Sequence, residues 1–100
     1  MGKTVSEAIE YRRSVRKYLD TDLNEEKVKN CIKNATLAPN SSNMQLWEFY
    51  HVTDKQKCEE IAKACFNQGA AKTANQLVVV VTRRDLWRSR AKANYNYLSN

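Results

Sequence analysis

Arg12-Arg13-Ser14-Val15-Arg16 sets three guanidinium groups and a hydroxyl within five residues. Guanidinium forks match phosphate oxygens two at a time, and a serine hydroxyl adds a neutral donor without further charge. This is donor chemistry for a phosphate or another anion. If a helix continued through these residues, Arg12 and Arg16 would share a face. The same run is also the pattern of a solvated surface. A second cluster, Pro39-Asn40-Ser41-Ser42-Asn43-Met44-Gln45, places five polar side chains on a turn-forming stretch, able either to line a polar ring edge or to end a helix. Asn67, at the end of an amphipathic stretch, reads as a C-terminal cap.

Other chemistry finds little to stand on. The single histidine, His51, and the absence of a Cys-x-x-Cys pair leave no conventional zinc set, so no metal ligand is assigned. His51 with a cysteine is the composition of a nucleophilic site, yet nothing in the sequence brings the two together, and no catalytic side chain is assigned. Cys31, Cys58 and Cys65 are odd in number and read as reduced, structural thiols.

These residues need elements to position them. Thr4-Val5-Ser6-Glu7 is a capping box, opening a helix over 5–11. Asn24 offers a second N-cap for a helix that turns Val28, Cys31, Ile32 and Ala35 to one side and closes at Pro39. The aromatic, β-rich run 47–52 predicts a strand. Thr53-x-x-Gln56 reads as a third capping box, starting a helix with Cys58, Ile61, Ala62 and Cys65 at i, i+3, i+4 and i+7. The continuous run 77–81 has the pattern of a strand covered on both faces. Asp85 then caps a last helix, with Leu86, Ala93 and Tyr97 on one side and Arg84, Arg88 and Lys92 on another. Two strands make a poor sheet, so the run 77–81 lacks a second neighbour and the chain reads as part of a larger fold.

Composition narrows the classes. The 100 residues carry 17 Lys+Arg against 11 Asp+Glu, a formal charge of +6, with 42% hydrophobic residues, two Gly and one Pro. A chain this short holds one small core rather than two domains. Scarce turn residues argue against an all-β sandwich. No apolar run reaches the ~18 residues of a membrane span, and no signal-peptide core follows Met1, so the expectation is a cytoplasmic chain without a membrane partner.

In this order, helix-RRSVRKY, LAPNSSNMQLWEFYHV and FNQGAAKTANQLVVVV resemble the N-terminal half of the nitroreductase family of FMN-dependent oxidoreductases. The most specific parts are the Arg-Arg-Ser-x-Arg run and the pattern Ala38, Pro39, Ser41, Asn43, Gln45 and Trp47. The resemblance implies an α+β fold with helices packed on a central sheet, residues 1–100 being the N-terminal part of a single FMN-binding domain. It further implies a homodimer with FMN at the subunit interface. Arg12 would hold the FMN phosphate, Ser14 would contact the polar chain or ring edge, and Arg16 would face the pyrimidine edge. Asn67 matches an asparagine on that edge. Pro39, Asn40, Ser41 and Asn43 match the loop that reaches the flavin from the partner, and Arg13 lies in the motif as a further contact. NAD(P)H would deliver hydride to flavin N5, and a nitroaromatic, quinone or similar acceptor would then take the vacated place. Cations at both ends of the ligand suit the phosphate and the charge that a reduced flavin gathers near N1 and O2.

The sequence departs from the family pattern at Asn40, where serine is usual, and at Leu46, where proline commonly precedes the tryptophan. Family members are about twice this long, as the domain-size prior expects. Two other functions stay open on the sequence alone. One is a basic nucleic-acid-binding module using Arg84, Arg88 and Lys92 with Trp87, Tyr95 and Tyr97. The other is a truncated, non-catalytic dimerisation fragment.

Overall fold

Capping side chains set the start of each of the first three helices in a computed structural model that describes residues 2–99. Thr4 and Glu7 form the reciprocal box at the head of α1 (Val5–Tyr11), with Glu7 N–H donating to Thr4 Oγ1 and Thr4 N–H to Glu7 Oε2. Asn24 caps α2 (Glu25–Thr36) through a bond from Glu26 N–H. The third cap differs from the sequence expectation. Asp54, one residue after Thr53, accepts from Lys57 N–H and starts α3 (Lys55–Ala64). A carboxylate beside the positive helix end is the stronger acceptor, so it takes the position.

A loop with a short 3-10 turn, Ser41–Asn43, leads into β1 (Trp47–Val52). After α3 comes the short α4 (Gly69–Thr73), then β2 (Leu77–Thr82), a 3-10 turn at Arg84–Leu86, and α5 (Trp87–Ser99). β1 and β2 pair antiparallel, Trp47 opposite Thr82 and Val52 opposite Leu77. Directly opposed residues share a face. Trp47, Phe49, His51, Val78 and Val80 therefore lie on one side of the ladder, and Glu48, Tyr50, Val52, Leu77, Val79 and Val81 on the other.

The double cover expected for the run 77–81 is not supplied within the chain. β2 alternates half-buried and exposed residues, with Val80 60% exposed. Among the described residues only Cys58 and Ala62 are buried hydrophobics, both on the inner stripe of α3. Cys58 donates its thiol to the Val52 carbonyl at 3.5 Å, tying that stripe to the end of β1. Cys65 and Cys31, placed on apolar faces by the sequence pattern, are exposed, and all three cysteines are free. The Cα radius of gyration is 17.4 Å, against about 13 Å for a compact chain of this length. The helices and the sheet thus present much apolar surface outward, an α+β arrangement with a small core.

The last helix also departs from its expected face. Leu86, Arg90 and Asn94 are the half-buried positions, whereas Ala93 and Tyr97 are exposed. Asp85 lies within the 3-10 turn, and its carboxylate pairs with Arg83 instead of capping α5. Polar groups at Arg90 and Asn94 face inward because the loop before β1 offers them carbonyls.

Candidate functional site

The arginine run does not continue as a helix. α1 stops at Tyr11, and Arg12 is its C-cap with φ −58° and ψ 145°. Residues 12–18 are irregular, so Arg12 and Arg16 are not on a shared helical face. Arg13 supplies part of the reason. Its Nη1 donates to the carbonyls of Glu10 and Arg12, both at 2.8 Å, and lies 3.4 Å from that of Tyr11. A cation on the exposed carbonyls of a helix end satisfies groups that have no partner within the helix. Arg13 is thereby engaged within the chain, whereas Arg12, Ser14 and Arg16 make no side-chain hydrogen bond among the described residues.

Beyond Arg16 the chain runs beside α4 and the approach to β2. A Cβ added at Gly69 would lie 2.8 Å from the Arg16 carbonyl oxygen, so the two backbones touch where only glycine fits. The Tyr18 N–H donates to Thr73 Oγ1 at 2.9 Å, and that hydroxyl donates to the Gly69 carbonyl at 2.6 Å. Asn75 Nδ2 donates to the Thr21 carbonyl, and Gln76 Nε2 to that of Leu23 at 2.7 Å. Gln76 Oε1 also meets His51 Nε2 at 2.6 Å, so His51 works in the scaffold.

The Arg16 carbonyl is thereby seated on Gly69, two residues after Asn67. α3 ends in a Schellman turn: Asn67 N–H donates to the Ala62 carbonyl at 2.9 Å and Phe66 N–H to that of Lys63 at 3.0 Å. Phe66 and Asn67 hold φ of 58° and 53°. The capping role read for Asn67 is thus played by its backbone, leaving the carboxamide without a hydrogen bond among the described residues. A groove of about 950 Å³ borders Asn67 with Lys17, Lys55 and Lys63, though neither Arg12 nor Arg16 lines it.

The second cluster is built differently. Ser42, Asn43 and Gln45 hold φ of 49°, 49° and 53°, left-handed conformations that non-glycine residues rarely adopt. Asn40 is engaged inside the loop, its Oδ1 accepting from Gln45 N–H at 2.9 Å and its Nδ2 lying 3.4 Å from the Ala38 carbonyl. Its carboxamide thus shapes the loop. Ser41 and Asn43 make no side-chain hydrogen bond among the described residues. Sequence reasoning missed Arg90 and Asn94, which bond loop carbonyls from α5. Their i, i+4 spacing was the available signal, but it belongs to a helix whose apolar pattern pointed elsewhere.

No hydrogen bond among the described residues joins loop 39–45 to residues 12–16 or to Asn67. The two groups of polar side chains are thus not joined by hydrogen bonds within the described residues. The basic set proposed for nucleic acid is also divided: Arg84 sits in the 3-10 turn, and Arg88 lies over the Trp87 ring at 5.3 Å. Among the described residues no group of three His, Cys, Asp or Glu could hold a metal, and no helix is long and apolar enough to cross a membrane.

At the foot of the sheet, Arg83 bridges Glu48 and Asp85, and Tyr50 donates its hydroxyl to Glu48 at 2.8 Å. The Tyr50 hydroxyl, then Arg83, hold the Glu48 carboxyl below its ordinary value, and Arg83 does the same for Asp85. Glu48 in turn raises Tyr50. This cluster ties β1 to the turn leading into α5.

Comparison with known proteins places this arrangement. The profile described as "Nitroreductase family" matches residues 9–98, and the chain belongs to that family. A provisionally named NADH dehydrogenase/NAD(P)H nitroreductase of Archaeoglobus fulgidus is 36% identical over 53 residues, covering 53% of this chain and 30% of its own. An FMN-dependent nitroreductase from Clostridium difficile superposes with a TM-score of 0.65 at 33% identity, over 87% of this chain and 53% of its own. A nitroreductase-type protein from Exiguobacterium sibiricum, solved in complex with FMN, gives a TM-score of 0.70 at 25% identity, over 92% of this chain and 48% of its own. The chain thus spans roughly a third to a half of the length of these relatives.

Proposed function

We propose that this chain is the N-terminal part of an FMN-binding domain, in a cytoplasmic oxidoreductase that works as a homodimer. The carrying observation is that the side chains of Arg12, Ser14, Arg16 and Asn67, and those of Ser41 and Asn43, have no hydrogen-bond partner within the described residues, while the backbone at Arg12, Asn67, Ser41 and Asn43 is hydrogen-bonded and the Arg16 carbonyl is seated on Gly69. Such donors are prepared for a ligand from outside the chain.

The donor set fits FMN. Arg12 binds the phosphate dianion through its guanidinium fork, and Ser14 donates to the polar chain or the ring edge. Arg16 presents positive charge to the pyrimidine edge, where it stabilises the reduced ring more than the oxidised one. The Asn67 carboxamide both donates and accepts, as the imide edge of a flavin requires. Pro39, Ser41 and Asn43 would approach the ring from the partner subunit. Arg13 and Asn40 support the site indirectly, one closing α1 and the other folding the loop. FMN held there would supply two-electron redox chemistry between NAD(P)H and a nitroaromatic, quinone or similar acceptor, in a ping-pong sequence. No side chain acts as nucleophile or metal ligand.

The test is anaerobic. FMN and the purified protein are mixed, NADH or NADPH is added, and the flavin absorbance is followed before and after a quinone is introduced. The reading expects bleaching on the first addition and recovery on the second, at rates well above those of free FMN. Rates equal to free FMN would reject it.

A further inference from the structure

Loop 39–45 holds a conformation that its own residues do not favour. Ser42, Asn43 and Gln45 are left-handed at φ of 49°, 49° and 53°. Asparagine tolerates that region better than serine or glutamine, so at Ser42 and Gln45 above all the surrounding hydrogen bonds must hold the shape.

In a trans peptide the carbonyl and the following N–H point in opposite directions, so a unit bonded at both ends is fixed in rotation. Two units of this loop are bonded that way. In the unit joining Ser42 and Asn43, the carbonyl accepts from Asn94 Nδ2 and the N–H donates to the Asn40 carbonyl at 3.0 Å. In the unit joining Met44 and Gln45, the carbonyl accepts from Arg90 Nη1 at 2.9 Å and the N–H donates to Asn40 Oδ1 at 2.9 Å. Arg90 Nη1 also reaches the Gln45 carbonyl at 3.3 Å. Asn40 grips the inner edge of the loop and α5 the outer one. Arg90 and Asn94 are half-buried and one helical turn apart, so a single helix face carries both outer contacts.

We infer that Arg90 and Asn94 are positioning residues for the cofactor. They order the loop before FMN arrives, so that Ser41 and Asn43 are presented without the entropic cost of freezing the loop at binding. Neither touches the ligand. The inference rests on the FMN reading above, and its test separates the two.

Amide hydrogen exchange is measured on the protein without added FMN, for wild type, Arg90→Met, Arg90→Lys and Asn94→Ala, with far-UV circular dichroism as the check of folding. FMN is then titrated into each sample. Arg90→Met keeps the aliphatic stem but removes the donors. It should speed exchange at the Asn43 and Gln45 amides, and raise the FMN Kd, by about tenfold, the scale of one lost charge-assisted hydrogen bond. Amides of the β1 and β2 ladder should keep their protection. Arg90→Lys restores an ammonium donor and should recover most of both effects, which a packing role would not require. Asn94→Ala should loosen Asn43 more than Gln45, and it carries the test if Arg90→Met fails to fold. Wild-type protection at both amides in the Met variant would overturn the proposal, as would a loosened loop with unchanged FMN affinity. A wild type that takes up no FMN would overturn the reading beneath it, and the cofactor role with it.

Discussion

The Arg16 carbonyl oxygen lies 2.8 Å from where a β-carbon on Gly69 would stand, so the segment after the arginine run is seated directly on the first turn of α4. The contact fixes the Arg16 backbone against Gly69, two residues after Asn67, without using the Arg16 side chain. Gly69→Ala should therefore be destabilising. Overpacking against backbone costs about 1–3 kcal/mol, while better helix propensity returns at most about 1 kcal/mol, leaving a net loss of about 1 kcal/mol. Urea denaturation reads it as a lower midpoint. An unchanged or higher midpoint would show that the segment is not held against α4.

The sequence revealed local starts and stops better than long-range seating. The Thr4 box, the Asn24 cap and both strands were legible because capping chemistry and β-branched runs act within a few residues. Where two neighbouring residues competed, as Thr53 and Asp54 did, the charged acceptor won. The inward face of α5 was not legible, since its contacts are hydrogen bonds to carbonyls about fifty residues earlier, and apolar periodicity cannot report them. The seating of Arg16 on Gly69 was hidden for the same reason. Of the candidate site, residue types and order could be read, but not that Arg13 and Asn40 are engaged within the chain.

The Arg83 cluster predicts a pH dependence. Glu48 and Asp85 are both held below their ordinary carboxyl values in the folded state, Glu48 first by the Tyr50 hydroxyl and Asp85 first by Arg83. A depressed carboxyl contributes stability that is present above its unfolded pKa and lost as pH falls through the folded one. Acid should therefore weaken the fold below the ordinary carboxylate range, and Arg83→Met should flatten that loss. Thermal melts across the acid range provide the check; identical slopes for both proteins would contradict it.

Phe66 is a bulky residue at φ 58° with 90% of its surface exposed. It occupies the position of a Schellman turn where glycine is preferred. Phe66→Gly should relieve left-handed strain and raise stability by about 1 kcal/mol. A lower unfolding midpoint would show that the ring makes contacts outweighing that strain.

The two arginines proposed as ligand contacts should separate by readout. Arg12→Ala should weaken FMN binding by about 1.5–3 kcal/mol, as loss of a charge-assisted bond to phosphate implies. Arg16→Ala should mainly lower the flavin midpoint potential, because its charge favours the reduced ring. Fluorescence titration and spectroelectrochemistry give the two values. Equal affinity in the first, or equal potential in the second, would remove the corresponding role.

Amide chemical-shift mapping during an FMN titration tests the central claim most directly, since it registers weak as well as tight binding and names the residues involved. Perturbations should concentrate in two places that share no hydrogen bond within one chain: residues 12–16 with Asn67, and loop 39–45. Both should saturate together, on a particle of dimeric mass, and Arg12→Ala should weaken both in parallel. Shifts that are absent, or that gather on the α5 face carrying Arg88 and Lys92 and leave both groups unmoved, would contradict the account.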